Sequence, residues 1–245
     1  MRVEAQPAFI LHATAYRETS LLVEALTRDH GRVGLIARGV RGAKRQPLRA
    51  ALQPLQAVLL DYAQKGELAT LARAEPVAPL PAPAGEALLA GFYLSELVLR
   101  LAPRNDAVPD VFDLFATTLA ALSDPHVRLA WSLRRFERDL LDALGYGLPL
   151  TEDAAGLAVD PQARYRLDPE QGPVREPRPV VRSVPGTALL ALAADREPDA
   201  AGLRALRDAL REVIAHHLGP RGLKSWGMPG EFARLLPPGP APDGP

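Results

Sequence analysis

The chain has 245 residues, 29 Lys/Arg against 29 Asp/Glu, 47% hydrophobic residues and no cysteine. That length suits one large or two ordinary domains with a packed core, and the missing cysteines exclude disulfides and thiolate metal sites. The N-terminal stretch, its short apolar patch broken by His12, Arg17 and Glu18, does not read as a signal peptide, and no apolar run approaches the ~20 residues of a membrane span, so a cytoplasmic protein is expected.

Residues 1–78 predict short strands. Ala8, Ile10, His12 and Thr14 alternate with Phe9, Leu11 and Ala13. A second strand covers 20–27, and Asp29–His30–Gly31 turns into a third over 32–38. Residues 53–62 and 67–75 predict a hairpin around Gln64–Lys65–Gly66. Five short strands with a long excursion between the third and fourth fit a small closed barrel, an OB-fold, with an SH3-like barrel as the rival.

The excursion is the most informative stretch. Arg38, Arg41, Lys44, Arg45 and Arg49 follow the third strand with no acidic residue among them, and glycines at 31, 34, 39 and 42 permit tight bends and close approach. A strand that delivers an uncompensated cationic loop is a seat for phosphate oxygens; a solvated loop serving solubility is the alternative. Overall neutrality hides this asymmetry. Residues 1–78 hold 11 Lys/Arg against 7 Asp/Glu, while 79–150 hold 6 against 9 and 151–245 hold 12 against 13. Aromatics for base stacking are few. Phe9, Tyr16 and Tyr62 are the candidates, and core or rim packing is the commoner fate of each. Backbone-dominated, sequence-tolerant binding is therefore expected.

A Pro-rich connector at 76–83 marks a boundary, after which the period becomes helical. Residues 85–101 are apolar nearly all round, as in a central buried helix. A second helix is predicted over 106–122. A third begins near Pro125 and ends at Gly145, with Leu129, Leu133, Phe136, Leu140 and Leu144 as its stripe. These make a bundle. Between 147 and 198 recurring Pro and Gly exclude long elements; a short hairpin is placed around 158–167 and a brief helix over 187–194. Asp199 caps a last amphipathic helix carrying Leu203, Leu206, Leu210, Val213 and His217, ended by Gly219–Pro220. The fold class is thus α+β: an N-terminal OB-fold barrel (1–78), then an α-helical domain (79–228) with an irregular inserted segment (about 147–198). Residues 229–245 are expected to be a disordered tail.

Phosphate-loop, dinucleotide, nucleophile-elbow and zinc-helix motifs are all absent. His216 and His217 are adjacent on a helix and point to different faces. Glu152–Asp153 and Asp195–Glu197 lie in polar loop sequence, where solvation is the default. No enzyme is expected, although a catalytic pair assembled from distant positions leaves no mark in the sequence. Arg134, Arg135 and Arg138 interrupt the third helix. They form either a solvated face paired with Glu137 and Asp142, or a cationic rim suited to an acidic peptide and its C-terminal carboxylate.

The segments at 8–45 (AFILHATAYRETSLLVEALTRDHGRVGLIARGVRGAKR), 52–54 (LQP), 66–76 (GELATLARAEP), 91–101 (GFYLSELVLRL), 133–150 (LRRFERDLLDALGYGLPL) and 223–226 (LKSW) together resemble the bacterial RecO family of recombination mediators. The resemblance runs to about residue 226. It implies an OB-fold followed by a helical domain, and a nucleoid-associated role: binding single- and double-stranded DNA, annealing complementary strands, and acting with RecR to help RecA replace single-stranded DNA-binding protein (SSB). On this likeness the basic loop with Arg38, Arg41, Lys44, Arg45 and Arg49 matches the DNA-binding face, and Arg32 at the start of the third strand is a further DNA-binding candidate. Arg134 with Arg135 matches the site for the SSB C-terminal tail, and Arg138 is a further candidate there. Two departures stand out. Many relatives carry a cysteine zinc site after the GYG segment, where this chain reads TEDAAG, so no zinc or other cofactor is expected. The family's LKSR is here LKSW, with Trp226 in place of a basic residue beside Arg221 and Lys224. The rival function is a protein-interaction adaptor that binds no DNA; a hydrolase with a dispersed site is a third class.

Overall fold

The computed structural model describes residues 1–40, 46–77, 83–177 and 182–227. The domain boundary at 78/79 and the tail beyond 228 lie outside the described residues.

Five strands close a barrel in the order β1–β2–β3–β5–β4: β1 (Arg2–Tyr16), β2 (Ser20–Thr27), β3 (Gly31–Ala37), β4 (Ala57–Gln64) and β5 (Leu68–Pro76). All neighbours are antiparallel except β3 and β5, which pair in parallel over 34–36. This closure, with a helix between β3 and β4, is the OB arrangement rather than the SH3-like one. β1 is longer than its predicted core because register shifts between Val3 and Gln6 and between Ile10 and His12 bend it. It pairs with β4 through its first half and with β2 through its second. Val23, Ala25, Val33, Leu35, Leu60 and Ala69 fill the interior, as period-2 alternation demands. The sequence left the excursion without structure, yet Gln46–Ala51 forms α1, which buries Ala51 and packs Leu48 on the barrel core.

The helical part comprises α2 (Gly85–Leu101), α3 (Pro109–Ala121), α4 (Leu129–Ala143), α5 (Gly186–Ala193) and α6 (Ala200–Leu218). α2 lies within the core through Leu94, Leu97 and Val98. Gly91 lets it approach the barrel, since a Cβ there would stand 2.8 Å from Leu55 Cδ1. α3 starts at Pro109, later than predicted, because Asn105 is held by the barrel through Arg32 O and proline suits a first helical turn. α4 starts after the turn containing Pro125, where Asp124 Oδ1 accepts the His126 N–H at 2.9 Å. Asp199 caps α6, accepting from Gly202 N at 2.7 Å.

The inserted hairpin sits further along than predicted. β6 (Arg164–Asp168) pairs with β7 (Gly172–Arg175), and β8 (Val184–Pro185) lies on the other side of β6. The turn is made by Asp168, whose Oδ1 accepts the N–H groups of Glu170 and Gln171, and by Gly172 at φ +79°. Residues 151–159 are closed by Asp153, whose carboxylate accepts from Ala155 N and Leu157 N at 2.9 and 3.0 Å.

Barrel and helices share one core. Phe9, Leu11 and Leu26 of the barrel belong to the helical cluster, and the Phe9 ring lies 5.2 Å from those of Phe112 and Phe115.

Candidate nucleic-acid interface

In β3 the even-numbered residues Arg32, Gly34 and Ile36 face outward, and Arg38 follows in the turn just after the strand, continuing the row on the barrel surface. The ends of that row have different fates. At the Arg32 end the segment joining α2 and α3 folds back. Arg104 bridges Arg32 in parallel, extending the β3–β5 seam, and Asn105 N donates to Arg32 O at 3.0 Å. Gly31 (φ +63°) has no room for a side chain, since a Cβ would meet Asp106 O at 1.8 Å. Beneath this cover Arg32 donates to Glu24 Oε2 at 3.1 Å and to Ala102 O at 3.1 Å, and Arg104 pairs with the same carboxylate. Burial pulls the Arg32 guanidinium below its ordinary pKa, with Glu24 opposing that shift. Its side chain is only 14% exposed. Arg32 therefore leaves the proposed DNA face and is a clasp between barrel and helices.

At the other end, Arg38 and Gly39 are exposed as β3 leaves the barrel, while buried Val40 anchors the chain. Arg49 is exposed on α1. Neither Arg38 nor Arg49 has an ion pair with a described residue. Arg41, Lys44 and Arg45 lie outside the described residues. Beside Arg38 a groove of about 600 Å³ is lined by Tyr16, Arg17, Glu18, Thr19, Ser20 and Ile36, at the turn from β1 to β2. This turn and the β2–β3 face are the surfaces through which OB-folds hold oligonucleotides.

The three candidate aromatics separate cleanly. Phe9 is locked between domains and Tyr62 is buried in the barrel. Tyr16 is at the surface, with the Arg17 guanidinium carbon 5.2 Å from its ring centroid. The sequence could not rank them, because the partners of Phe9 lie a hundred residues away.

The α4 arginines do not share one solvated face. Arg134 is buried, paired with Glu137, which also accepts from Tyr93 Oη at 2.6 Å. Burial raises the Glu137 carboxyl above its ordinary value against the opposing pull of Arg134 and Tyr93. This pair withdraws Arg134 from any surface site. Arg135 and Arg138 instead converge on one carboxylate, Asp195 Oδ1, at 2.7 and 3.1 Å, and Arg138 also donates to Leu192 O. Asp195, in the turn after α5, takes a left-handed conformation (φ +53°) there. The expected partner Asp142 is not the one used, and Asp195 carried no signal beyond lying in a polar loop.

Near the C-terminus, Glu96 of α2 accepts from Lys224 N and Ser225 N at 2.8 Å each, and Arg100 donates to Gly222 O at 2.9 Å. Arg211 lies over the Trp226 ring at 4.4 Å. Trp226 thus packs the segment down, while Arg221 and Lys224 stay exposed. His217 stacks on Tyr146 at 4.2 Å, with its ring perpendicular to that of His216.

Comparison with known proteins accounts for both halves. The family model described as Recombination protein O N terminal matches residues 1–80, and Recombination protein O C terminal matches residues 83–227. The chain belongs to the RecO family. It is 53% identical over 239 residues to the DNA repair protein RecO of Xanthomonas campestris pv. campestris (strain B100), covering 96% of this chain and 99% of that one. To the DNA repair protein RecO of Stenotrophomonas maltophilia (strain K279a) it is 56% identical over 232 residues, covering 93% and 97%. RecO membership places the OB-like barrel and its basic excursion in a family whose named members serve DNA repair. Among the described residues no helix is long and apolar enough to cross a membrane.

Proposed function

We propose that this chain is a DNA repair protein that grips single- and double-stranded DNA through its barrel without reading sequence and anneals complementary strands. With RecR it would help RecA load on SSB-coated DNA. It would do so in the cytoplasm without catalytic turnover or a cofactor. One observation carries the reading: Arg38, which lines the OB groove, and Arg49 are exposed without carboxylate partners among the described residues, and in sequence they bracket Arg41, Lys44 and Arg45. Cations held this way bind phosphates and release counterions. Sequence tolerance suits annealing, because most bases must stay free to pair.

Support for docking on the SSB tail comes from Arg135 and Arg138, which already hold a carboxylate in the form of Asp195. An acidic C-terminal peptide would replace that carboxylate and bring the barrel close to SSB-held strands, raising their effective concentration. Titration of fluorescent oligonucleotides of unrelated sequence at two salt concentrations tests the DNA reading. Similar affinities that fall together with salt are expected. Absence of binding at low salt would instead favour a protein-only adaptor.

A further inference from the structure

The groove beside Arg38 has a composition that phosphate binding alone does not require. Its walls combine an aromatic ring, Tyr16, with an apolar side chain, Ile36, and two guanidinium groups, Arg17 and Arg38. We propose that it is a stacking site for one unpaired base, with the Tyr16 ring carrying the base and Arg38 the neighbouring phosphate. This rests on the DNA-binding reading above and deepens it from a charge-only grip to one that distinguishes strand state.

Three observations converge. Tyr16 is the one surface aromatic of the three candidates, as Phe9 and Tyr62 are sealed in cores. The Arg17 guanidinium already lies near that ring, the arrangement that a planar delocalised group adopts and that a base also favours. Ile36, on the outer face of β3, and Arg38, in the turn just after it, both line the groove, so an apolar contact for a base edge and a cation for its phosphate are two residues apart. A volume of about 600 Å³ accommodates a nucleotide.

A base inside a duplex has both faces covered by its neighbours, so only an unpaired or terminal base reaches Tyr16. The cationic excursion would hold either kind of strand, and the groove would add affinity for single strands alone. Holding one base leaves the others free for pairing.

The test compares three labelled probes by fluorescence anisotropy: a single-stranded oligonucleotide, an abasic sugar–phosphate strand of equal length, and a duplex. Stacking contributes about 1–3 kcal/mol per base, so Tyr16→Ala is expected to weaken the normal single strand by about tenfold. Affinity for the abasic strand and the duplex should stay within about twofold, and Tyr16→Phe, which keeps the ring, should restore wild-type binding. Equal losses on normal and abasic strands, no loss on either, or failure of Tyr16→Phe to rescue would each overturn the stacking site. The broader reading would survive those results if wild-type binding remains salt-dependent. Failure of wild-type protein to bind any of the three probes would overturn both.

Discussion

Arg32 on β3 and Arg38 in the turn just after it are the same residue type, yet one is a clasp and the other an exposed cation with no ion pair among the described residues. The difference comes from residues 102–106, which cover Glu24 and Arg32 from seventy positions away. The same lesson holds on α4, where Arg134 is buried with Glu137 while Arg135 and Arg138 reach across to Asp195. Residue type and helical spacing marked these arginines as notable, but no local pattern encodes which carboxylate each one meets. Asp195 offers a direct probe of the second cluster. Asp195→Asn removes a charge held between two guanidinium groups, and an exposed pair is worth up to about 1 kcal/mol. A labelled peptide ending in acidic residues should therefore bind the variant about threefold more tightly. Unchanged or weaker binding would place the acidic tail elsewhere.

At the scale of elements, what sequence could read depended on whether the signal was local. The Asp199 cap and the Gly219 stop bounded α6, and the apolar run of 85–101 matched α2 end to end. α1 was missed because six residues carry too little periodicity to register. The β6–β7 hairpin was misplaced because the Asp168–Gly172 turn outweighs the apolar stretch before it. Nor does any local pattern show that 222–226 is fastened to α2 through Glu96 and Arg100.

That fastening has a pH signature. Burial alone would raise the Glu96 carboxyl. Hydrogen bonds from Ser225 and Lys224, with Arg100 nearby, more than offset this and hold it below its ordinary 4.5. A carboxylate with a depressed folded pKa adds stability that is present above 4.5 and lost as pH falls through the folded value. Glu96→Gln should therefore unfold at lower urea at pH 7, by about 1 kcal/mol because the site is partly solvated. The gap from wild type should close in acid below 4.5. A gap that stays constant from neutral to acid would mean that the carboxylate charge is not what holds the segment.

For the whole molecule, period-2 and then helical patterning gave the α+β class and the order of its halves. The shared core was not legible, because Phe9 reads as one more barrel residue until α3 is folded against it. Sharing that core fixes the barrel on the helices, so the Arg32 end of the β3 row is closed and only the Arg38 end faces solvent. On the proposed DNA reading, a strand held there would meet cations delivered by a single excursion, and its affinity would be set by how many phosphates they neutralise. With about four of the five cations from Arg38 to Arg49 in contact, log K should fall against log salt with a slope of about −3, from about −0.7 per contact on single strands.

The most direct measurement is that slope for a labelled single strand in wild type, in the combined variant Arg41→Ala, Lys44→Ala and Arg45→Ala, and in Arg32→Ala. The triple variant should flatten it to about −1, whereas Arg32→Ala should keep the wild-type slope while losing stability. A triple variant with the wild-type slope, or an Arg32→Ala protein with a flattened one, would contradict a grip seated on the excursion after β3.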